Sequence, residues 1–187
     1  MAVSATGHDV AGLFAPVARA FKNDRVTELA RSLATLAAGG AFDDPAFYAA
    51  PGSHGYSRRL VWRDPFARFV VIGMTWGPGQ QSSLHDHGGL WGAEIVVEGT
   101  LCETSFRLVD RDHRGRHRFL RERAVLRERG SVGTLIPPLE YHDVCNTAAQ
   151  TARSIHVYGG DLARCTRFVE EGDGWWLAQP AALQYDA

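Results

Sequence analysis

The chain has 187 residues, 45% of them hydrophobic and 22% charged, with a formal net charge of −1. That length supports one well-cored domain over residues 1–187 and is short for two. The net charge near zero gives no sign of nucleic acid or an anionic membrane as partner, and no run of about 18 apolar residues offers a membrane span.

Met1 to Val10 lacks a basic segment followed by an apolar run, so no signal peptide is expected. Residues 8–38 read as helical: Val26, Leu29, Ala30, Leu33, Leu36 and Ala37 recur at spacings of three and four and form one apolar stripe. Asn23 or Asp24 can cap its start, Pro16 fits a first turn or a kink, and Gly39-Gly40 ends it. Asp44-Pro45 opens a short helix through Tyr48. The region to about residue 50 is expected to be a helical cap on a sheet.

From Tyr56 the period changes to two. Strands are expected at Arg58 to Arg63, Arg68 to Trp76, Ser83 to His87, Glu94 to Val97 and Leu101 to Leu108. Others follow at Val125 to Glu128, Gly133 to Ile136, His142 to Cys145, Ser154 to Tyr158 and Thr166 to Val169. Val70, Ile72, Met74 and Trp76 share one face. Asp110 to His117, with Gly115, reads as a hairpin loop within a solvated, arginine- and glutamate-rich arm. Many short strands suggest a sandwich or barrel over about residues 56–170, with the tail after Gly174, carrying Trp175 and Trp176, covering one end. Cys102, Cys145 and Cys165 are odd in number and widely spaced, which fits a reducing cytoplasm better than a disulfide framework. Cys102 and Cys145 read as small apolar fillers, and His8, His54, His113 and His117 as surface residues in loops or at the terminus.

The chemistry concentrates in Ser82-Ser83-Leu84-His85-Asp86-His87 and Tyr141-His142-Asp143-Val144-Cys145-Asn146. Two histidines one residue apart on a strand face the same way, and a third from another strand completes a three-imidazole site. Asp86 then faces away and is structural. Gly79 precedes His85 by six residues, Gly99 follows His87 by twelve, Pro137 precedes His142 by five and Asn146 follows it by four. This resembles the two signature motifs of the cupin superfamily and implies a mainly β cupin fold, a small antiparallel β-barrel of jelly-roll type with an N-terminal helical cap. There are departures: Leu139 stands where a glycine is usual, and Trp91 and Gly92 where many cupins place a glutamate, with Glu94 too late in the chain to replace it. Three neutral imidazoles leave a divalent ion its full charge and open positions, which favours an anionic ligand such as a thiolate. Ligand type alone leaves zinc and copper open.

By alternation Ser154, His156 and Tyr158 share a face and can form a hydrogen-bonded chain that presents the Tyr158 hydroxyl. Together with Tyr56-Ser57-Arg58, Trp76-Gly77, the histidines, Asn146 and Cys165, this order resembles the cysteine dioxygenase family over about residues 56–168. The resemblance implies that His85, His87 and His142 bind Fe(II), and that Tyr158, oriented by His156 and Ser154, lies over thiolate and oxygen. Arg58 would meet a substrate carboxylate, and Tyr56, Met74, Trp76 and Cys165 would shape the pocket. The implied reaction adds both atoms of O2 to the sulfur of a small-molecule thiol carboxylate, giving a sulfinic acid, in a cytoplasmic monomer or homodimer.

Animal-type members carry a cysteine that cross-links to the tyrosine; here that position is Gly92. Trp62-Arg63-Asp64-Pro65, Trp76 to Gln80 and Leu90-Trp91-Gly92 are similar to the 3-mercaptopropionate dioxygenase branch, which usually has glutamine at Arg58 and an arginine near Arg167. This chain has both arginines, which suggests a substrate with two carboxylates such as mercaptosuccinate, beside cysteine and 3-mercaptopropionate. The competing readings are another metal-dependent cupin enzyme, an isomerase or hydrolase, and a non-enzymatic small-molecule-binding cupin.

Overall fold

The computed structural model describes residues 10–22, 26–53, 55–137 and 141–187. Among the described residues the expected helical stretch holds three helices: α1 (Val10–Leu13), α2 (Ala15–Lys22) and α3 (Val26–Ala38). Pro16 lies in the first turn of α2, where its missing N–H removes no helical hydrogen bond. The stripe on α3 is real, with Leu29 and Leu33 buried at its centre. The helix ends where Gly40 turns to φ +74° and its N–H bonds back to the Ala37 carbonyl, a left-handed stop that glycine takes without strain. Asn23 and Asp24 lie outside the described residues, as do His8, His54 and Leu139. Asp44 caps a single 3₁₀ turn, Pro45–Phe47, by accepting the Ala46 N–H at 2.8 Å.

Among the described residues eleven strands follow: β1 (Ser57–Arg63), β2 (Val70–Trp76), β3 (Leu84–His85), β4 (Gly92–Glu98), β5 (Thr100–Arg111), β6 (Arg116–Glu128), β7 (Val132–Leu135), β8 (His142–Cys145), β9 (Ala152–Tyr158), β10 (Arg164–Gly172) and β11 (Trp175–Ala182). One sheet runs β1-β2-β9-β4-β7, and the pairings β10-β11-β6-β5-β8-β3 close on themselves. Period-two alternation gives the first sheet two apolar faces. Outward, Val71, Ala93, Ile95, Ile155 and Val157 pack with Leu29 and Leu33 of α3. Inward, Val70, Ile72, Met74 and Trp76 share the barrel interior with Val96, Leu101, Val144 and Tyr158. Each fully buried aliphatic side chain is worth about 1.5–3 kcal/mol, so the helical cap is held by the outer face while the inner face is free to carry a site. Gly73 is required where the cap meets β2: a Cβ there would collide with the Phe47 carbonyl.

Three expectations change. β6 starts at Arg116 rather than near Val125. Its exposed arm is dense in charge, including the cross-strand pair Arg107 Nε–Glu122 Oε1 at 2.7 Å, and so lacks the apolar alternation that marks a strand. The tail after Gly174 is strand β11, paired with both β10 and β6, so the barrel extends to Ala182 rather than ending near residue 170. His117 is not in a loop: it lies on β6, half-buried, with its ring 5.1 Å from Phe168. Among the described residues no helix is long and apolar enough to cross a membrane.

Candidate metal centre

Two stretches about sixty residues apart are joined by a short ladder. Ser82 N–H donates to the Val144 carbonyl at 2.8 Å, and Val144 N–H returns a bond to Ser82 Oγ at 3.0 Å. Asn146 is the clasp. Its backbone pairs with Gly79 and Gln80, and its buried amide donates to the carbonyls of Trp76 and Gln150 at 2.8 Å and Gly77 at 3.2 Å. The register this sets puts His85 opposite His142. β3 stops at His85, so His87 enters the site from the turn beyond it. Asp86 fixes that turn, its Oδ1 accepting Thr166 N–H at 2.8 Å and Gly88 N–H at 3.1 Å.

The three imidazole centroids lie 4.8–4.9 Å apart, and one nitrogen of each ring falls within 4.8 Å of the others. Two rings are oriented from behind. His85 Nδ1 meets the Ser83 carbonyl at 2.9 Å, and His142 Nδ1 meets Glu103 Oε1 at 3.3 Å, with Glu103 held by Arg127 Nε at 2.8 Å. Protons held on Nδ1 leave each Nε2 as the free donor, the usual support for a metal-binding imidazole. Burial, helped by neighbouring His142, pushes His85 down to about 3, so it is neutral and ready to ligate at pH 7. For His142 burial acts the same way but is outweighed by the surrounding carboxylates together, Glu103 first, then Glu94 and Asp143, and its pKa rises. This buried, three-nitrogen set fits a divalent transition metal, and among these three there is no carboxylate to offset its charge.

Ser154, His156 and Tyr158 share the inner face of β9, as the alternation requires. Trp76 Nε1 donates to Ser154 Oγ at 3.0 Å; Ser154 Oγ is 2.8 Å from His156 Nε2, and His156 Nδ1 is 3.1 Å from the Tyr158 hydroxyl. Tyr158 is buried and its ring stacks 5.6 Å from His87. Burial, reinforced by Glu94, raises its pKa far above the ordinary phenol value, so it keeps its proton.

A cavity of 460 Å³ opens beside the histidines, lined among others by Tyr56, Arg58, Met74, His85, Tyr158, Cys165 and Arg167. Trp76 stands one layer behind, stacked on Tyr56 at 4.2 Å. Arg58 is 5% exposed and so is no surface residue. Its Nη1 and Nη2 donate to the carbonyls of Gln184 and Leu162, each at 3.2 Å, and its guanidinium lies 5.3 Å over the Tyr185 ring. Its backbone exchanges two bonds with Asp186, both at 2.7 Å. Neutral carbonyls position the guanidinium without cancelling its charge. Arg167, on β10 opposite His85, is exposed to solvent and also lines the cavity. Burial raises the Tyr56 hydroxyl while Arg58 and Arg167 both pull it down, so both cations act on one group. Cys165 is buried, and burial raises its thiol despite Arg167 beside it.

Several contributors had no signal in the motifs. Glu103 lies largely buried on β5 and Arg127 near the end of β6, and the tail residues Leu183, Gln184 and Asp186 form a cavity wall. Glu94 faces inward by parity and sits 3.1 Å from His156 Nδ1. Cys102 and Cys145 are half-buried partners directly across β5 and β8, not enclosed fillers. Gly92 lies opposite Tyr158, where a Cβ would press on the tyrosine ring at 3.1 Å.

The sequence matches the family described as cysteine dioxygenase type I over residues 2–171. Similar solved structures include TT1209 from Thermus thermophilus, at 20% identity over 60% of this chain and 90% of that one, with a TM-score of 0.44. A protein with a double-stranded β-helix domain from Klebsiella pneumoniae is 15% identical over 73% and 92%, TM-score 0.45. A cupin 2 conserved barrel domain protein from Salinispora arenicola is 21% identical over 55% and 72%, TM-score 0.40.

Proposed function

The chain belongs to the cysteine dioxygenase type I family, and from that premise we propose that it is an Fe(II)-dependent thiol dioxygenase that converts a small mercapto-carboxylic acid to its sulfinic acid. The observation that carries this reading is the three-histidine cluster, reached through His85, beside a cavity that is lined by a protonated tyrosine and two guanidinium groups. A ferrous ion held by His85, His87 and His142 would supply the open positions and the electrons that let a thiolate and dioxygen react. The protein's part is positioning and electrostatics. Arg58, fixed by two carbonyls, holds a carboxylate by charge-assisted hydrogen bonds and so sets the reach of the sulfur toward the histidines. Tyr158 donates its hydroxyl proton as a hydrogen bond where negative charge develops on oxygen. Tyr56 and Met74 cover the reacting groups and exclude water.

For the substrate, we favour a dicarboxylate such as mercaptosuccinate, with Arg58 and Arg167 each matched to one anion, since a carboxylate taken from water without a partner is costly. Cysteine and 3-mercaptopropionate are the competitors. Asp186 on the cavity wall is the feature that favours cysteine, because it offers an anion to an ammonium group. The test is oxygen uptake and sulfinate formation by the iron-loaded protein on all three thiols, repeated with Arg167→Ala. Arg167→Ala should raise KM for mercaptosuccinate about 10-fold and leave 3-mercaptopropionate within about 2-fold, the loss of one solvent-screened ionic hydrogen bond. Turnover of the monocarboxylates alone would overturn the dicarboxylate assignment, and no uptake with any thiol would overturn the dioxygenase reading.

A further inference from the structure

Glu94 is a buried acid with no task in the reaction above. It lies on β4 directly opposite His156 of β9 and is 9% exposed. Its strand is otherwise apolar at the neighbouring inward position, Val96, so the carboxylate is a costly choice there. Oε2 stands 3.1 Å from His156 Nδ1, the nitrogen that also stands 3.1 Å from the Tyr158 hydroxyl. In this geometry Oε2 receives no aligned hydrogen bond of its own. One imidazole nitrogen therefore faces two oxygens.

The location of the His156 proton decides what Tyr158 can do. If Nδ1 were bare, its lone pair would face a buried carboxylate oxygen at 3.1 Å, and Tyr158 would spend its proton on Nδ1. Tyr158 would then present only lone pairs to the cavity. If Nδ1 carries the proton, its hydrogen bond goes to Tyr158 Oη while the Glu94 carboxylate, 3.1 Å away, stabilises the N–H as an ionic neighbour, and the tyrosine proton is released toward the cavity. The other end of the ring agrees with the second arrangement. Trp76 Nε1, which can only donate, gives its hydrogen to Ser154 Oγ, leaving the serine hydroxyl proton for His156 Nε2. Every polar atom from Trp76 to Tyr158 then has a role of the correct sign.

We infer that Glu94 is a positioning residue that fixes the His156 proton on Nδ1 and thereby makes Tyr158 a hydrogen-bond donor toward the substrate cavity. The role is that of a carboxylate behind a catalytic imidazole, which selects the tautomer without touching substrate.

Two measurements test this, and the first is independent of any activity. Nitrogen-15 NMR of the imidazoles in the metal-free full chain, with His156 assigned by its loss in His156→Gln, should give a protonated, pyrrole-type Nδ1 and an unprotonated Nε2. The isosteric Glu94→Gln should shift the ring toward the opposite tautomer. A His156 proton on Nε2 in the unaltered protein, or a tautomer unmoved by Glu94→Gln, overturns the inference. The second measurement rests on the dioxygenase reading. Glu94→Gln should lower kcat by about 10²-fold with KM within about 2-fold, the scale of losing a positioned proton donor. In a Tyr158→Phe background the same substitution should change kcat less than about 2-fold, because coupled residues are not additive. A full loss in that background would mean that Glu94 does not act through Tyr158 and would overturn the inference. If no thiol is consumed, the dioxygenase reading fails while the NMR result still decides the role of Glu94.

Discussion

The two ends of the cavity are built by different means. The histidine end is a product of backbone pairing: β3 and β8 are zipped in register, Asn146 clasps the ladder, and Asp86 pins the turn that carries His87. At the arginine end strand pairing places the backbones, Arg58 opposite Met74 and Arg167 opposite His85, but no pairing fixes the guanidinium groups themselves. Arg58 is aimed by single carbonyls of Leu162 and Gln184, and Asp186 and Tyr185 brace it from the far end of the chain. A centre that must hold an ion needs fixed geometry, and strand register supplies it. A centre that selects a small acid needs a charge whose setting can be changed, and loops and tails supply that.

The difference can be broken most directly at the histidine end. His87→Ala should abolish metal binding and activity together, measured by metal analysis and oxygen uptake, because two imidazoles cannot replace three and His87 is fully enclosed. At the other end, Arg58→Ala should leave metal content unchanged and lower kcat/KM by about 10- to 10²-fold, the loss of a charged hydrogen-bond pair worth about 1.5–3 kcal/mol. Metal loss in that variant would mean that the two ends are not separable. Glu103→Gln keeps the three ligands but weakens the support behind His142, and should reduce metal affinity by about 10-fold in a chelator competition.

The smallest expected effect is a control outside both ends. Asp64 accepts bonds from Arg68 Nε and Nη2 and from the Phe66 and Arg68 amides. The Arg68 guanidinium hydrogen bonds, above all, hold its carboxyl below the ordinary aspartate range against the cost of burial. Its folded pKa is thus below its unfolded value of about 3.9. The stability it contributes is present above that value and is lost as pH falls through the folded pKa. Asp64→Asn should lower Tm at pH 7 and flatten the fall of Tm below about pH 4, with kinetics unchanged.

The contrast between the ends also explains what could be read from the sequence. Val70 to Trp76 is a continuous apolar run because one face packs on helices and the other lines the barrel, while Ser154 to Tyr158 alternates because its inward face carries the polar chain, so both strands and their inward residues were legible. His85, His87, His142 and Asn146 were legible because register ties them to fixed spacings. Arg58 was found, but not its partners, since carbonyls of Leu162 and Gln184 carry no side-chain signature. The full extent of β6 and the whole of β11 were missed because charge along one and Trp-Trp at the head of the other obscure the two-residue period. Glu94 shares a strand face with Gly92 and Val96 by alternation, yet its partner His156 follows only from the β4–β9 register, which no local pattern encodes.

A thiol dioxygenase site places both atoms of dioxygen on a thiol sulfur. The direct measurement is mass spectrometry of the product formed by the iron-loaded protein under isotopically heavy dioxygen in ordinary water. The expected product is a sulfinate in which both oxygens on sulfur carry the label. A product with one labelled oxygen, or unlabelled, or no product with any mercapto-acid, would contradict it.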